Sequence, residues 1–82
     1  MYYTYVLESK KDRKRYIGFT GDLKKRIKDH NDGLNKATRD RRPFILIYYE
    51  ACLDKESAIK REKYLKTGWG NRYLNQRLKN EN

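Results

Sequence analysis

The feature that most constrains the fold of this chain is a nearly continuous apolar run at residues 44–51, FILIYYEA. Such a run is typical of a β-strand that is buried on both faces of a sheet. Two earlier segments, residues 2–8 and 15–20, are rich in β-branched and aromatic residues and also favour strands. The charged segment between them, residues 9–14, indicates a turn, so these two strands should form a hairpin.

Helical signals separate and follow these strands. Asp22 has the side chain of a helix N-cap and Gly33 suits the position just past a helix end, which predicts a first helix over residues 23–32. A second helix is expected over residues 55–67, and a short third helix over residues 71–79. The order ββαβαα predicts an α/β protein of the α+β class, in which helices flank a three-stranded, largely antiparallel sheet.

The length of 82 residues predicts a single domain over residues 1–82, with residues 79–82 fraying at the end. Cys52 is the only cysteine, which excludes an internal disulfide framework and a thiolate metal site, and a small buried residue at a strand end is its expected role. Neither a signal peptide nor an apolar run of membrane-spanning length is visible, so a soluble, cytoplasmic protein is expected.

Charge narrows the range of partners. Lysine and arginine total 21 against 11 acidic residues, and the net charge of +10 indicates a polyanionic partner, most commonly nucleic acid. A ribosomal protein, a membrane-surface binder and a nuclease all agree with this charge. The aperiodic segment at residues 34–43 is expected to be an exposed basic loop that either grips phosphates flanking a site or is simply solvated. Its cations are Lys36, Arg39, Arg41 and Arg42.

Glu62 breaks the pattern of the second helix. At about 100° per residue it falls between Ala58 and Leu65 on the apolar face. A carboxylate on an apolar face is costly unless a partner pairs with it. Glu62 therefore either forms an ion pair with a neighbour such as Arg61 or Lys66, or serves as a metal ligand or acid–base group at the surface of the sheet.

Arg26 and His30 are four residues apart on the first helix and therefore lie on one face. They run along the edge of the apolar stripe formed by Leu23 and Ile27, so both can point towards the sheet. A lone histidine at a helix edge is usually structural. Beside an arginine, whose planar fork donates two hydrogen bonds to phosphoryl oxygens, it becomes a candidate phosphate site. We expect both side chains to face the same side of the sheet as Glu62.

Tyrosines and a glycine mark the predicted hairpin. Tyr3 and Tyr5 share one face of the first strand, and Tyr16 shares a face with Gly18 on the second. Tyrosine on a sheet normally packs into the core with its hydroxyl at the rim. A glycine inside a strand indicates that another group approaches the backbone closely.

These residues occur in the order found in one family. Residues 16–18, Tyr-Ile-Gly, match the second half of the GIY-YIG signature, and the Tyr-Thr-Tyr of residues 3–5 lies where the first half belongs. Residues 19–26 resemble the family's passage from strand into helix. Residues 65–70, LKTGWG, look like the small stand-alone bacterial members. Over essentially its whole length, the chain resembles the GIY-YIG nuclease superfamily.

The resemblance implies an active site that hydrolyses phosphodiester bonds. Its catalytic residues would be Tyr5, Tyr16, Arg26, His30 and Glu62. Glu62 would hold one Mg²⁺ or Mn²⁺ ion, Arg26 would bind a non-bridging phosphate oxygen, and the tyrosines or His30 would activate the attacking water. The implied partner is nucleic acid, with DNA favoured over RNA; no membrane and no obligate protein partner are expected.

Departures from the family pattern leave alternatives open. Tyr3 and Thr4 replace the glycine and isoleucine of the first motif. Family enzymes often carry an asparagine after the metal-binding glutamate, and both Asn71 and Asn75 are available. A nucleic-acid-binding module that has lost catalysis is the main alternative, and a small ribosome-associated protein is a second one.

Overall fold

Three strands and three helices follow one another in the predicted order, and the α+β class is confirmed. A computed structural model describes residues 1–79, so the expected frayed tail lies outside the described residues except for Lys79, which ends the last helix. The elements are β1 (Tyr2–Ser9), β2 (Arg15–Thr20), α1 (Leu23–Asn31), β3 (Phe44–Cys52), α2 (Lys55–Leu65) and α3 (Gly68–Lys79). A short 3-10 turn, Arg39–Arg41, interrupts the basic loop.

The sheet is antiparallel, with strand order β2-β1-β3. The hairpin of β1 and β2 therefore forms as predicted, and β1 is the central strand. In the register of the sheet, Tyr5 lies opposite Gly18 on β2 and opposite Tyr49 on β3. An irregularity between Val6 and Leu7 shifts the pairing of β1 with β3.

The prediction that residues 44–51 form a strand buried on both faces was wrong. β3 is an edge strand, and Ile45 and Tyr49 are 42% and 52% exposed. The doubly buried strand is β1, in which residues 4–7 are all buried. Because helices cover both faces of the sheet, the edge strand β3 still packs side chains into two cores. It therefore needs an apolar composition similar to that of a strand buried on both faces.

Alternation along β1 sends its side chains into two cores on opposite faces of the sheet. Tyr5 packs with Phe44 beneath α1, whereas Val6 packs with Leu65 of α2 and Leu74 of α3. Helix α1 therefore covers one face, and α2 and α3 cover the other.

Helix α3 begins earlier than predicted. Its start was predicted at residue 71, but Gly68 and Gly70 both lie in its first turn. The Thr67 hydroxyl oxygen accepts a hydrogen bond from the Gly70 amide at 3.2 Å and so caps this turn. A side chain at Gly70 would collide with the backbone of Tyr64 and Leu65, so this glycine allows α3 to pack closely on the end of α2.

Candidate active site

The site begins with the contact between Tyr5 and Gly18. A Cβ atom on Gly18 would lie 2.6 Å from the Tyr5 hydroxyl and 2.8 Å from its ring carbon Cζ. The absence of a side chain therefore lets the Tyr5 ring lie directly over β2. The close approach predicted from a glycine inside this strand is confirmed, and the approaching group is the hydroxyl end of Tyr5.

A buried chain of hydrogen bonds leads away from Tyr5. The Tyr5 hydroxyl is 2.9 Å from Nε2 of His30, and Nδ1 of His30 is 2.7 Å from Oγ1 of Thr38. His30 and Thr38 are both 0% exposed, and Tyr5 is 2% exposed. The Thr38 hydroxyl can in turn donate to the Asn35 carbonyl at 3.4 Å. Both ring nitrogens of His30 therefore have partners, which fixes the orientation of the imidazole.

Tyr16 closes the aromatic side of the site. Its ring lies edge-on to His30, with 5.0 Å between ring centroids, and is tilted against Tyr5 at 6.5 Å. Tyr16 is only partly buried, unlike Tyr5 and His30. It is therefore the aromatic residue of this group that also faces outwards.

Burial controls the protonation of the two innermost groups. Burial raises the pKa of Tyr5 well above its ordinary value of 10.0, and Tyr16 adds to this rise. Burial, assisted by the Arg26 guanidinium, lowers the pKa of His30 below 6.5, and Asp29 opposes the change. At neutral pH, Tyr5 is thus a phenol that can donate a proton and His30 is a neutral imidazole that can accept one.

The expectation that Arg26, His30 and Glu62 face the same side of the sheet was wrong. Helix α1 lies on the face of Tyr5, and α2 lies on the opposite face. Both charges nevertheless act on one hydroxyl, because Arg26 lowers the pKa of Tyr5 and Glu62 raises it. β2 is an outer strand that α2 contacts, and the Tyr5 ring lies over Gly18 of this same strand.

Glu62 forms one of the two ion pairs considered for it. Nζ of Lys66 lies 2.8 Å from Oε2 of Glu62, and the Glu62 side chain is 17% exposed. The other neighbour, Arg61, instead pairs with Glu50 through two hydrogen bonds of 2.8 and 3.0 Å. Glu62 is therefore a sheltered carboxylate whose partner is a mobile, half-exposed lysine.

The donor set fits a metal ion held by one carboxylate. Within residues 1–79, no three His, Cys, Asp or Glu side chains come together as a metal cluster. Glu62 alone could offer a carboxylate oxygen beside Tyr5, with water completing the shell, an arrangement that Mg²⁺ tolerates. The Lys66 ammonium would have to yield the carboxylate oxygen that it now holds.

Arg61 anchors the helix that carries Glu62. Its guanidinium lies over the rings of Tyr64 and Tyr73, at 5.1 and 4.8 Å from their centroids. The Tyr48 hydroxyl donates to Glu50 at 2.6 Å and completes the network. Sequence inspection placed Arg61 only as a possible partner of Glu62, because its link to a strand residue eleven positions earlier has no local signal.

A cleft of about 460 Å³ adjoins the site at the β2 edge. Tyr16 and Lys66 belong both to the site and to this cleft. Of the two candidate asparagines, Asn71 lines the cleft and its Oδ1 accepts a hydrogen bond from Arg15 Nη1 at 3.2 Å. Asn75 is not among the residues that line it, so Asn71 is the asparagine nearer to the site.

The basic loop is largely occupied with its own structure. Nε of Arg39 donates to the Gly33 carbonyl at 3.0 Å, and Nε of Arg42 donates to the Arg39 carbonyl at 2.7 Å. Arg41 pairs with Asp12 at 2.8 Å. Lys36 is exposed. Three of the four predicted phosphate-gripping cations thus also hold the loop together.

Thr38 is the site residue that sequence inspection missed. It lies in the basic loop, where a threonine ordinarily points to solvent. Only the packing of this loop against His30 buries it, and no local pattern reports that packing. The burial of Thr38 can be inferred only once the loop is known to fold back over α1.

Comparison with known proteins agrees with this geometry. A family model described as the GIY-YIG catalytic domain matches residues 1–80. The UPF0213 protein CPE1444 of Clostridium perfringens is 46% identical over 67 residues, which cover 80% of this chain and 71% of that protein. The UPF0213 protein SpyM50708 of Streptococcus pyogenes is 48% identical over 65 residues, covering 78% and 70% of the two chains.

A solved structure shares the fold. The solution NMR structure of the UPF0213 protein BH0048 from Bacillus halodurans superposes with a TM-score of 0.55 at 38% identity, covering 90% of this chain and 82% of that one. The names of these relatives state no activity. In the described part of the chain, no helix has the length and apolar character needed to cross a membrane.

Proposed function

The chain belongs to the GIY-YIG catalytic-domain family, and from this premise we propose that it is a metal-dependent endonuclease that hydrolyses phosphodiester bonds in nucleic acid, with DNA favoured over RNA. The observation that carries the proposal is the buried Tyr5–His30–Thr38 chain, which ends at a tyrosine hydroxyl whose pKa is lowered by Arg26 and raised by Glu62. A hydrogen-bonded imidazole of lowered pKa beside a phenol has the properties of a proton acceptor for an attacking water.

The proton path follows from the protonation of the buried pair. Neutral His30 that donates its Nδ1–H to Thr38 leaves Nε2 free to accept the Tyr5 proton. As water attacks the phosphorus atom, Tyr5 takes the water proton and passes its own to His30. His30 is 0% exposed and Tyr5 is 2% exposed, so His30 acts through Tyr5, while the partly buried Tyr16 orients the water from the outer side of the group.

Arg26 and Glu62 supply the charges. Arg26 donates hydrogen bonds to a non-bridging phosphate oxygen and stabilises the charge that develops there. Glu62 would hold the divalent ion, Mg²⁺ or Mn²⁺, through the carboxylate oxygen that Lys66 now contacts. When bound, the ion supplies charge stabilisation at the leaving oxygen. The released Lys66 then faces the cleft, where a flanking phosphate is its natural partner.

A nucleic-acid-binding module without catalysis is the second candidate. Two observations favour it: Tyr3 and Thr4 replace the glycine and isoleucine of the first motif, and Lys66 occupies the carboxylate oxygen that a metal needs. Such a module would bind nucleic acid equally well with and without a divalent ion. It would also tolerate the loss of Glu62.

The deciding experiment is a cleavage panel over linear, branched and single-stranded substrates in Mg²⁺ or Mn²⁺, run with the wild-type protein beside Glu62→Ala. We expect cleavage by the wild type, none in EDTA, and a loss of at least about 100-fold in Glu62→Ala with the fold intact. Lys63→Ala, which changes an exposed residue next to Glu62, serves as the control and should cleave normally. Cleavage that survives in both EDTA and Glu62→Ala would contradict the metal assignment, and binding without cleavage on every substrate would favour the second candidate.

A further inference from the structure

Trp69, the only tryptophan, is a large apolar side chain that packs in neither hydrophobic core. It is 67% exposed in the first turn of α3. The Arg72 guanidinium lies over its ring, 5.0 Å from the centroid. An exposed indole with a stacked arginine has the composition of surfaces on which unpaired bases stack.

The surface around Trp69 is continuous with the cleft. Gly68 lines the cleft. At about 100° per residue, Asn71, which also lines the cleft, lies roughly 60° around α3 from Gly68 in one direction. Arg72 and Trp69 lie roughly 40° and 100° from Gly68 in the other direction. The exposed surface of the helix therefore runs from the cleft across Arg72 to Trp69.

The chemistry of the cleft suits a nucleotide. Its volume of about 460 Å³ lies within the range of small-ligand sites. Arg15 supplies positive charge for a phosphate, and the half-buried Ile17 supplies apolar wall for a sugar or base. Since Tyr16 and Lys66 also belong to the site around Tyr5, a strand lying in the cleft leads directly to that site.

We propose that the cleft together with Trp69 and Arg72 forms a strand tract, which binds one unpaired strand of nucleic acid and delivers it to Tyr5. The inference rests on the proposed function, because it names the class of substrate that the same site would act on. A continuous duplex keeps its bases stacked inside and offers no base face to Trp69. The strand tract therefore selects single-stranded or locally unpaired nucleic acid, and the charges of Arg15 and Arg72 favour this polyanion over a protein partner.

Trp69 itself reports on this binding, since no other tryptophan contributes to the fluorescence. Metal-free protein in EDTA is titrated with oligothymidine on the order of ten nucleotides long, the scale of a single-stranded binding site, and with a blunt duplex of equal length. We expect the oligothymidine to quench Trp69 and the duplex to leave it nearly unchanged. Anisotropy of dye-labelled strands measures affinity in parallel.

Variants separate stacking from general binding. Trp69→Ala should lose roughly tenfold in affinity for oligothymidine and less than about twofold for the duplex, whereas Trp69→Phe keeps most of the affinity because it keeps a ring. Leu53→Ala removes another exposed apolar side chain, 84% exposed, and should change neither affinity. Thermal unfolding confirms that each variant is folded.

The outcomes for the strand tract and for the nuclease are distinguishable. Unchanged oligothymidine affinity in Trp69→Ala, or an equal loss for single strand and duplex, would overturn the strand tract whether or not the protein cleaves. Trp69-dependent binding of oligothymidine, in a wild-type protein that cleaves nothing in Mg²⁺ or Mn²⁺, would support the strand tract and overturn the nuclease.

Discussion

At the scale of single residues, the site depends on the absence of a side chain at Gly18. Because Gly18 has no Cβ atom, the Tyr5 hydroxyl can lie over β2, where it is 2.9 Å from Nε2 of His30. Three of the five residues predicted to be catalytic, Tyr5, Tyr16 and His30, form one contact group. The remaining two, Arg26 and Glu62, act on it through charge.

Gly18→Ala tests this arrangement with a single methyl group. The added Cβ would force the Tyr5 hydroxyl away from its position, because the two would be 2.6 Å apart. We expect cleavage to fall at least about tenfold, with a stability loss of roughly 1–3 kcal/mol from overpacking. Cleavage kinetics and urea denaturation measure the two effects. Gly21→Ala is the control, since its Cβ would meet only ordinary contacts at 3.7 Å, and wild-type activity in Gly18→Ala would contradict the placement of Tyr5.

The lowered pKa of His30 predicts the pH dependence. His30 must be neutral to accept a proton, and its pKa lies below 6.5, so the active form prevails above pH 6.5 and is lost as the pH falls through the lowered value. Since the unfolded chain binds this proton more readily, acid also removes stability over the same range. His30 is the only histidine, so its imidazole NMR signal titrates without overlap. The midpoint should fall below 6.5 and match the acid limb of the rate; a midpoint above 6.5 would contradict the buried site.

At the scale of secondary structure, the sequence predicted every strand and α-helix, but it placed the start of α3 three residues too late and β3 in the wrong environment. The N-cap at Asp22 and the end of α1 before Gly33, whose φ is positive, are local signals, and both predictions are confirmed. Helix α3 starts earlier because Gly70 packs against another helix, and no local pattern records that contact. For the same reason, composition alone could not reveal that β3 lies at an edge.

The two glycines of α3 make a matched pair. A Cβ on Gly70 would collide with the backbone of α2, whereas a Cβ on Gly68 would meet nothing within 4 Å. We expect Gly70→Ala to cost about 2 kcal/mol or more, since backbone cannot move aside. Gly68→Ala should be neutral or stabilise by about 0.4–1 kcal/mol, because alanine restricts the unfolded chain. Urea denaturation compares them, and equal effects would contradict the close packing of α2 and α3.

At the scale of the whole molecule, the site lies beside the edge strand β2, with α1 on one face of the sheet and α2 on the other. The sequence predicted the five residues, but it placed Arg26 and Glu62 on one side of the sheet. Which face each helix covers depends on how the chain crosses the sheet, and side-chain spacing within a helix carries no information about that. The two helices lie on opposite faces of the sheet, and both charges influence the Tyr5 hydroxyl, whose pKa Arg26 lowers and Glu62 raises.

The same position explains how so small a protein could hold a catalytic site. Tyr5 contributes to the core beneath α1, and in the proposed function its hydroxyl also takes part in the chemistry. His30 does the same from α1. Substitutions at these positions must therefore be judged for stability as well as for activity.

The most direct test of the site as a whole is the single-turnover cleavage rate of Tyr5→Phe. This change removes only the hydroxyl and keeps the ring that packs in the core, so the fold should persist with a stability loss of about 1–3 kcal/mol from the unpaired His30 nitrogen. If the hydroxyl transfers the proton of the attacking water, the rate should fall by roughly 100-fold or more. A Tyr5→Phe protein that cleaves at the wild-type rate would show that the chemistry lies elsewhere.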